Sequence, residues 1–169
     1  GVIQSLQADT TTPPGIDVID GTGRTLLPGL FDAHTHMWGN SLRQALAFGV
    51  TTVFDMGTRS PSWAAERREE QRQGTATGRA DLLSAGFLVT APGGHGTQFG
   101  FEVPTISKPD EAPGAVETRL AQGSDYIKII YQPCERCMPS IDSATLQAVI
   151  AETHRRDRII LSTGVRVTE

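Results

Sequence analysis

The sequence predicts an α/β protein built on a parallel sheet, and three observations predict it. From Leu26 onward, short apolar runs alternate with stretches of helical character, the pattern of repeated βα units. The chemically versatile residues fall at the C-terminal ends of those runs or just beyond them, which is where parallel α/β folds place active sites. No internal repeat, low-complexity tract or linker marks off a second large domain.

Residues 1–25 are polar and turn-rich and are expected to form a short N-terminal β segment ahead of an α/β domain at 26–169. Pro13-Pro14-Gly15 breaks this segment, Ile16 to Asp20 alternates like a short edge strand, and Gly21-Thr22-Gly23 turns the chain. Strand one is read at Leu26 to His34, a helix at Ser41 to Phe48 stopped by Gly49, and strand two at Thr51 to Asp55. The charged stretch Ser62 to Gln73 is a second helix, with Ser62 able to cap it and Gly74 ending it; strand three follows from Leu82 to Thr90. After the loop Ala91-Pro92-Gly93-Gly94-His95-Gly96 come a helix at Pro109 to Ala121 and strand four at Tyr126 to Tyr131. A fourth helix, Ser143 to Arg156, is capped by Asp142 or Ser143, and a fifth strand begins at Arg158. This amounts to about four and a half βα units.

The chain has 169 residues, enough for one sizeable core but short of the ~250 residues of a complete eight-fold α/β barrel. Its composition, 38% hydrophobic and 20% charged, is that of a soluble globular protein. A formal charge of −4 leaves no electrostatic footprint for nucleic acid or an anionic membrane, so a small-molecule partner is expected. No apolar run approaches the ~20 residues of a membrane span, and no signal-peptide pattern opens the chain; the expected location is cytoplasmic, although a start at Gly1 is compatible with a removed leader. Cys134 and Cys137 form one C-x-x-C, which by itself cannot supply the four ligands of a structural zinc site. The pair reads as a solvent-side loop pair, with metal or redox roles as alternatives.

The chemistry concentrates in Asp32-Ala33-His34-Thr35-His36. Side chains alternate along a strand, so Asp32, His34 and His36 share one face and the two imidazoles can converge on one ion. Neutral imidazole suits zinc and other divalent first-row metals, and two histidines at i and i+2 after an apolar run are hard to account for as core residues. Asp32 reads as an orienting partner or a strand-end hydrogen-bond acceptor rather than a ligand. Lys128, flanked by Ile127, Ile129 and Ile130, would be a costly buried ammonium unless neutralised, paired or modified; alternatively its stem carries the amine to the polar end of the strand. His95 in its glycine-rich loop reads as a substrate contact or as a solvated loop histidine. His154 reads as an exposed residue near a helix C-terminus.

The stretch from Val18 to His36, containing Leu26-Leu27-Pro28-Gly29-Leu30-Phe31-Asp32-Ala33-His34-Thr35-His36, resembles the start of the barrel of the amidohydrolase superfamily, in its imidazolonepropionase-like and prolidase-like branch. Gly49-Val50-Thr51-Thr52-Val53 resembles the second strand of those proteins, and Ala91-Pro92-Gly93-Gly94-His95-Gly96 the segment after their third. The resemblance implies a partial (β/α)8 TIM-type barrel and a metal-dependent hydrolase of amide, cyclic amide or peptide-like C–N bonds. It implies one or two divalent ions, zinc foremost, held by His34 and His36. It also implies a carboxylated Lys128 bridging two metals.

The family's further ligands, histidines on strands five and six and an acid on strand eight, have no counterpart here. After Arg158-Ile159-Ile160-Leu161 the chain reads Ser162 to Glu169, and Ser162 is no substitute for an imidazole. The chain is therefore expected to be an N-terminal portion or truncated product, with open strand edges that favour self-association or call for a missing C-terminal half. A rival reading is a catalytically inactive remnant or assembly subunit that binds a partner chain. A third is a flavodoxin-like open sheet using the Gly93-Gly94-His95-Gly96 loop for an anion, but it lacks a G-x-G-x-x-G or P-loop pattern.

Overall fold

The computed structural model describes residues 3–6, 14–134 and 136–163. Elements alternate along the chain: β1 (Leu30–Thr35), α1 (Ser41–Ala47), β2 (Val50–Asp55), α2 (Pro61–Arg72), β3 (Asp81–Ser84), α3 (Ala112–Ala121), β4 (Ile127–Ile130), α4 (Ser143–Arg155) and β5 (Ile160–Thr163). All strand pairs are parallel, so each needs a crossover connection, and the helices or long loops supply it. One sheet runs β1-β2-β3 and a second β4-β5. They meet where Val89 bridges Ile129 in parallel, with Val89 N–H donating to the Lys128 carbonyl at 2.7 Å and Ile130 N–H to the Val89 carbonyl at 2.9 Å.

The break between the two sheets corrects the expectation of one unbroken third strand from Leu82 to Thr90. Gly86 takes the left-handed conformation (φ +63°), and a Cβ there would lie 2.5 Å from Ser124 Oγ. The chain turns aside after Ser84 and rejoins the sheet only at Val89.

β4, Ile-Lys-Ile-Ile, is buried at all four positions. Ile127 and Ile129 pack with Val89, Ile106, Val116 and Val149 between β4 and helices α3 and α4. Each such fully buried aliphatic side chain contributes ~1.5–3 kcal/mol. A second cluster joins Leu42, Val53, Ala64, Ala80 and Leu82. Met56, Ala85 and Tyr126 form a third, where the two sheets approach each other.

Caps differ in detail from the expectation. Ser60, not Ser62, caps α2 by accepting from Trp63 N–H at 3.3 Å, because Pro61 occupies the first helical turn, where its missing N–H costs nothing. Asp142 caps α4, accepting from Thr145 N–H at 2.7 Å. The third helix begins as a 3₁₀ turn at Pro109–Glu111 before becoming α-helical.

Two further expectations differ. Ile16 to Asp20 forms no strand; Ile16, Val18 and Ile19 are exposed, since no described neighbouring strand offers them a ladder or an apolar face. Strand one starts at Leu30 rather than Leu26, because register with Val50 begins only there. Among the described residues β1 pairs only with β2 and β5 only with β4. Leu30, Phe31 and Ile159 accordingly stand exposed. The five strands close no barrel. Pro13 and the Gly164 to Glu169 tail lie outside the described residues.

Candidate metal centre

β1 delivers His34 and His36 to the C-terminal edge of the sheet. Their imidazoles stand edge to face, with ring centroids 6.1 Å apart and planes at 71°. His36 Nδ1 lies 3.0 Å from the Gly57 carbonyl oxygen. A carbonyl can only accept, so Nδ1 carries a proton, and in the neutral ring Nε2 is then the nitrogen with the lone pair that a metal takes. Asp32 accepts from the backbone N–H of His34 at 3.2 Å, a strand-local bond. The His34 pKa is lowered, first by desolvation, then by the charges of Lys128 and His36, with Asp32 opposing them.

Lys128 comes to the same end of the sheet from β4. It is 2% exposed, and its Nζ is buried without a hydrogen-bond partner among the described residues. The alternative, a stem that carries the amine to the polar end of the strand, finds no hydrogen-bond acceptor for Nζ among the described residues. Burial pushes its pKa down to about 8, so roughly a tenth of the amine is neutral and nucleophilic at pH 7, far more than for an ordinary lysine.

A network missed by sequence reasoning braces this edge. Asp55, at the end of β2 and fully buried, accepts from Met37 N–H at 3.1 Å and from Ser84 Oγ at 2.7 Å. The Tyr126 hydroxyl donates to the Asp55 carbonyl at 2.8 Å. Burial raises the Asp55 pKa against the pull of these donors and of His36. Met37 follows His36 directly, so Asp55 helps hold the chain in the course that aims the imidazole. An acid closing the apolar strand Val50–Asp55 was the one available signal.

His95 lies elsewhere. Its ring packs edge-on against Phe99 at 5.8 Å, with Nδ1 3.3 Å from Gln98 Nε2. It does not line the cavity of about 480 Å³ that opens beside His36, although its neighbours Gly96 and Phe99 do. His154 is exposed in the last turn of α4. Cys134 and Cys137 are joined in a disulfide on an exposed loop after β4, not free for a metal.

Whether these residues suit a cation can be judged from the donors themselves. His36 is oriented with one nitrogen free, His34 is depressed toward its neutral form, and a buried amine without a partner stands near enough to act on His34. That set suits a divalent first-row ion. Among the described residues no group of three or more His, Cys, Asp or Glu is placed to hold a metal. No helix among them is long and apolar enough to cross a membrane.

The described residues thus form a parallel α/β architecture with a histidine pair at the exit of its first strand. Comparison with solved structures makes this specific. The chain is similar to a putative prolidase from Bifidobacterium longum, with 26% identity over 90% of this chain and 39% of that one, and a TM-score of 0.70. It is similar to an amidohydrolase, with 21% identity over 90% of this chain and 47% of that one, and a TM-score of 0.71. A prolidase complexed with N-methylphosphonate-L-proline matches over 91% of this chain and 47% of that one, with 18% identity and a TM-score of 0.71. No protein-family model matches the chain. The neighbours of this fold are thus amidohydrolases and prolidases, in agreement with the resemblance read from the sequence, and the chain spans less than half the length of each of these three.

Proposed function

We propose that this chain carries the first metal-binding strand of an amidohydrolase-type, metal-dependent hydrolase acting on amide, cyclic amide or peptide-like C–N bonds, on a barrel of which these five strands are the leading part. The observation that carries this reading is the pair of imidazoles after β1, 6.1 Å apart, with the buried Lys128 of β4 close enough to depress His34 and its Nζ without a hydrogen-bond partner among the described residues. His34 and His36 would hold a divalent ion, zinc foremost, singly or as part of a pair. When bound, the ion supplies Lewis acidity, polarising an amide carbonyl and making water acidic enough to attack near neutral pH.

The chain's own residues do the rest of the work assigned to them here. The Gly57 carbonyl keeps the proton of His36 on Nδ1, and Asp55 holds the backbone beyond it. In this reading the neutral Lys128 amine adds to carbon dioxide, forming a C–N bond and releasing a proton. The carbamate would turn a costly buried cation into an anion that could help hold the ion. In the hydrolysis itself, water adds to the carbonyl carbon, the C–N bond breaks and the amine leaves with a proton. His95 would approach substrate only indirectly, through Phe99, and Asp32 would act through the backbone of His34.

A second reading, an inactive subunit that binds a partner chain, is favoured by the exposed outer edge of β1 with Leu30 and Phe31. Both readings call for self-association or a C-terminal half, which would supply the remaining ligands and the catalytic acid. A cytoplasmic site of action is also part of the proposal.

Metal analysis of the purified chain tests the reading. Bound zinc should fall away in the His34→Ala, His36→Ala double variant, and unchanged stoichiometry would remove the metal role. Metal-dependent turnover of dipeptide and N-acyl amide substrates, measured with any C-terminal half supplied, separates the enzyme from the inactive subunit.

A further inference from the structure

The cavity beside His36 has a chemistry of its own. Its volume, about 480 Å³, falls within the ~300–1,000 Å³ typical of small-molecule sites. Aromatic walls reach it from four parts of the chain: Trp38 after β1, Trp63 on α2, Phe87 after β3, and the pair Phe99 and Phe101 beyond. The rings of Phe99 and Phe101 lie 14° from parallel with centroids 6.4 Å apart, a stacked pair at the cavity's side. Such a lining gives water few partners and favours a flat apolar guest.

One cation interrupts the apolar lining. Arg59 is exposed at the cavity, its guanidinium 5.6 Å from the centroid of the Phe101 ring. It makes no ion pair among the described residues, and no aspartate or glutamate lines the cavity. A guanidinium resting on an aromatic face keeps its planar fork for a carboxylate. His36 lies on the same wall.

We propose that this cavity recognises an amide bearing a large aromatic group and a carboxylate: the ring enters between Trp38, Trp63 and the phenylalanines, the carboxylate pairs with Arg59, and the amide lies toward His36. The assignment of the amide rests on the hydrolase reading. The binding itself does not.

The chain's two tryptophans, Trp38 and Trp63, both line the cavity, so intrinsic fluorescence reports on it directly. The metal-free chain is titrated with N-benzoyl-phenylalanine, with its methyl ester and with N-acetylglycine. The two aromatic probes should change the emission saturably, the acid binding about tenfold more tightly than the ester, as one charge-assisted pair provides. N-acetylglycine should leave it unchanged. Arg59→Leu, at an exposed position, should lower the acid to the affinity of the ester and leave the ester untouched. Gly57→Leu should close the pocket to both: a Cβ at Gly57 meets Leu88 at 3.6 Å and His36 at 3.8 Å, contacts that the backbone tolerates.

No saturable response to the aromatic probes, an equal response to N-acetylglycine, or an Arg59→Leu protein that keeps the preference for the acid would each overturn the proposal. Should Gly57→Leu fail to fold by circular dichroism, the Arg59→Leu comparison still decides. Because the titration needs neither metal nor turnover, a chain that binds these probes but hydrolyses nothing even with metal and a C-terminal half supplied fails the hydrolase reading alone.

Discussion

His36 Nδ1 sits 3.0 Å from the carbonyl oxygen of Gly57, a bond that joins the exit of β1 to the segment after β2. It selects one tautomer of the neutral imidazole, with the lone pair on Nε2. Long-range ¹H–¹⁵N correlation spectra of the metal-free chain above pH 7 should show His36 as the Nδ1–H form. Zinc should shift its Nε2 signal, and a dominant Nε2–H form would contradict the geometry.

Asp55 is the next point of test. Its carboxylate accepts from Met37 N–H and Ser84 Oγ in a site closed to water. Asp55→Ala strands both donors, so urea melts should lose roughly 2–4 kcal/mol, against about 1 kcal/mol for Ser84→Ala. Zinc affinity should fall as well, by ~10–100-fold, since the brace behind His36 is gone. A stable variant with intact zinc binding would show that the brace is dispensable.

Lys128 predicts a pH dependence. Folding lowers its pKa from 10.5 to about 8, so the fold favours the neutral amine. The cost of the charged form is fully present below pH ~8 and vanishes as the unfolded chain deprotonates near 10.5. In carbonate-free buffer the wild-type chain should therefore gain stability between these limits, by about 3 kcal/mol at most. Lys128→Met should lack that gain and be the more stable protein at pH 7. In bicarbonate, a ¹³C carbamate resonance should be seen in the wild type and not in the variant.

Arg119 ties α3 to the wall of the cavity. Buried at 2% exposure, it donates to the carbonyls of Leu88 at 3.2 Å and Pro104 at 2.7 Å, next to the cavity residues Leu88 and Val103. Arg119→Met keeps the stem and removes both bonds, leaving two carbonyls poorly satisfied at a cost of roughly 1–3 kcal/mol. The tryptophan emission should move to the red as water enters. A melt and a spectrum matching the wild type would show the two bonds to be without consequence.

Much of this was legible beforehand. Apolar runs of strand length and the glycines after helices located β2, β4, α1, α2 and α4 to within a residue and the end of α3, because backbone periodicity is a local property. The i, i+2 spacing of His34 and His36 put both on one face for the same reason. The third strand was not legible: its apolar run continues through Gly86, and only the tight approach of Ser124 shows why the chain must turn there. Ile16 to Asp20 alternates like a strand, but alternation creates no partner.

The sequence by itself determined the parallel α/β plan, the histidine pair at the strand exit and the unusual lysine among isoleucines, all consequences of spacing along one stretch of chain. Tertiary structure alone decided that Lys128 finds no partner among the described residues, that Gly57 fixes the tautomer of His36, and that Trp38, Trp63 and Phe101 meet around one cavity with Arg59. These relations join residues far apart in the chain, and no local pattern encodes a distance that arises only when the sheet brings its loops to one edge.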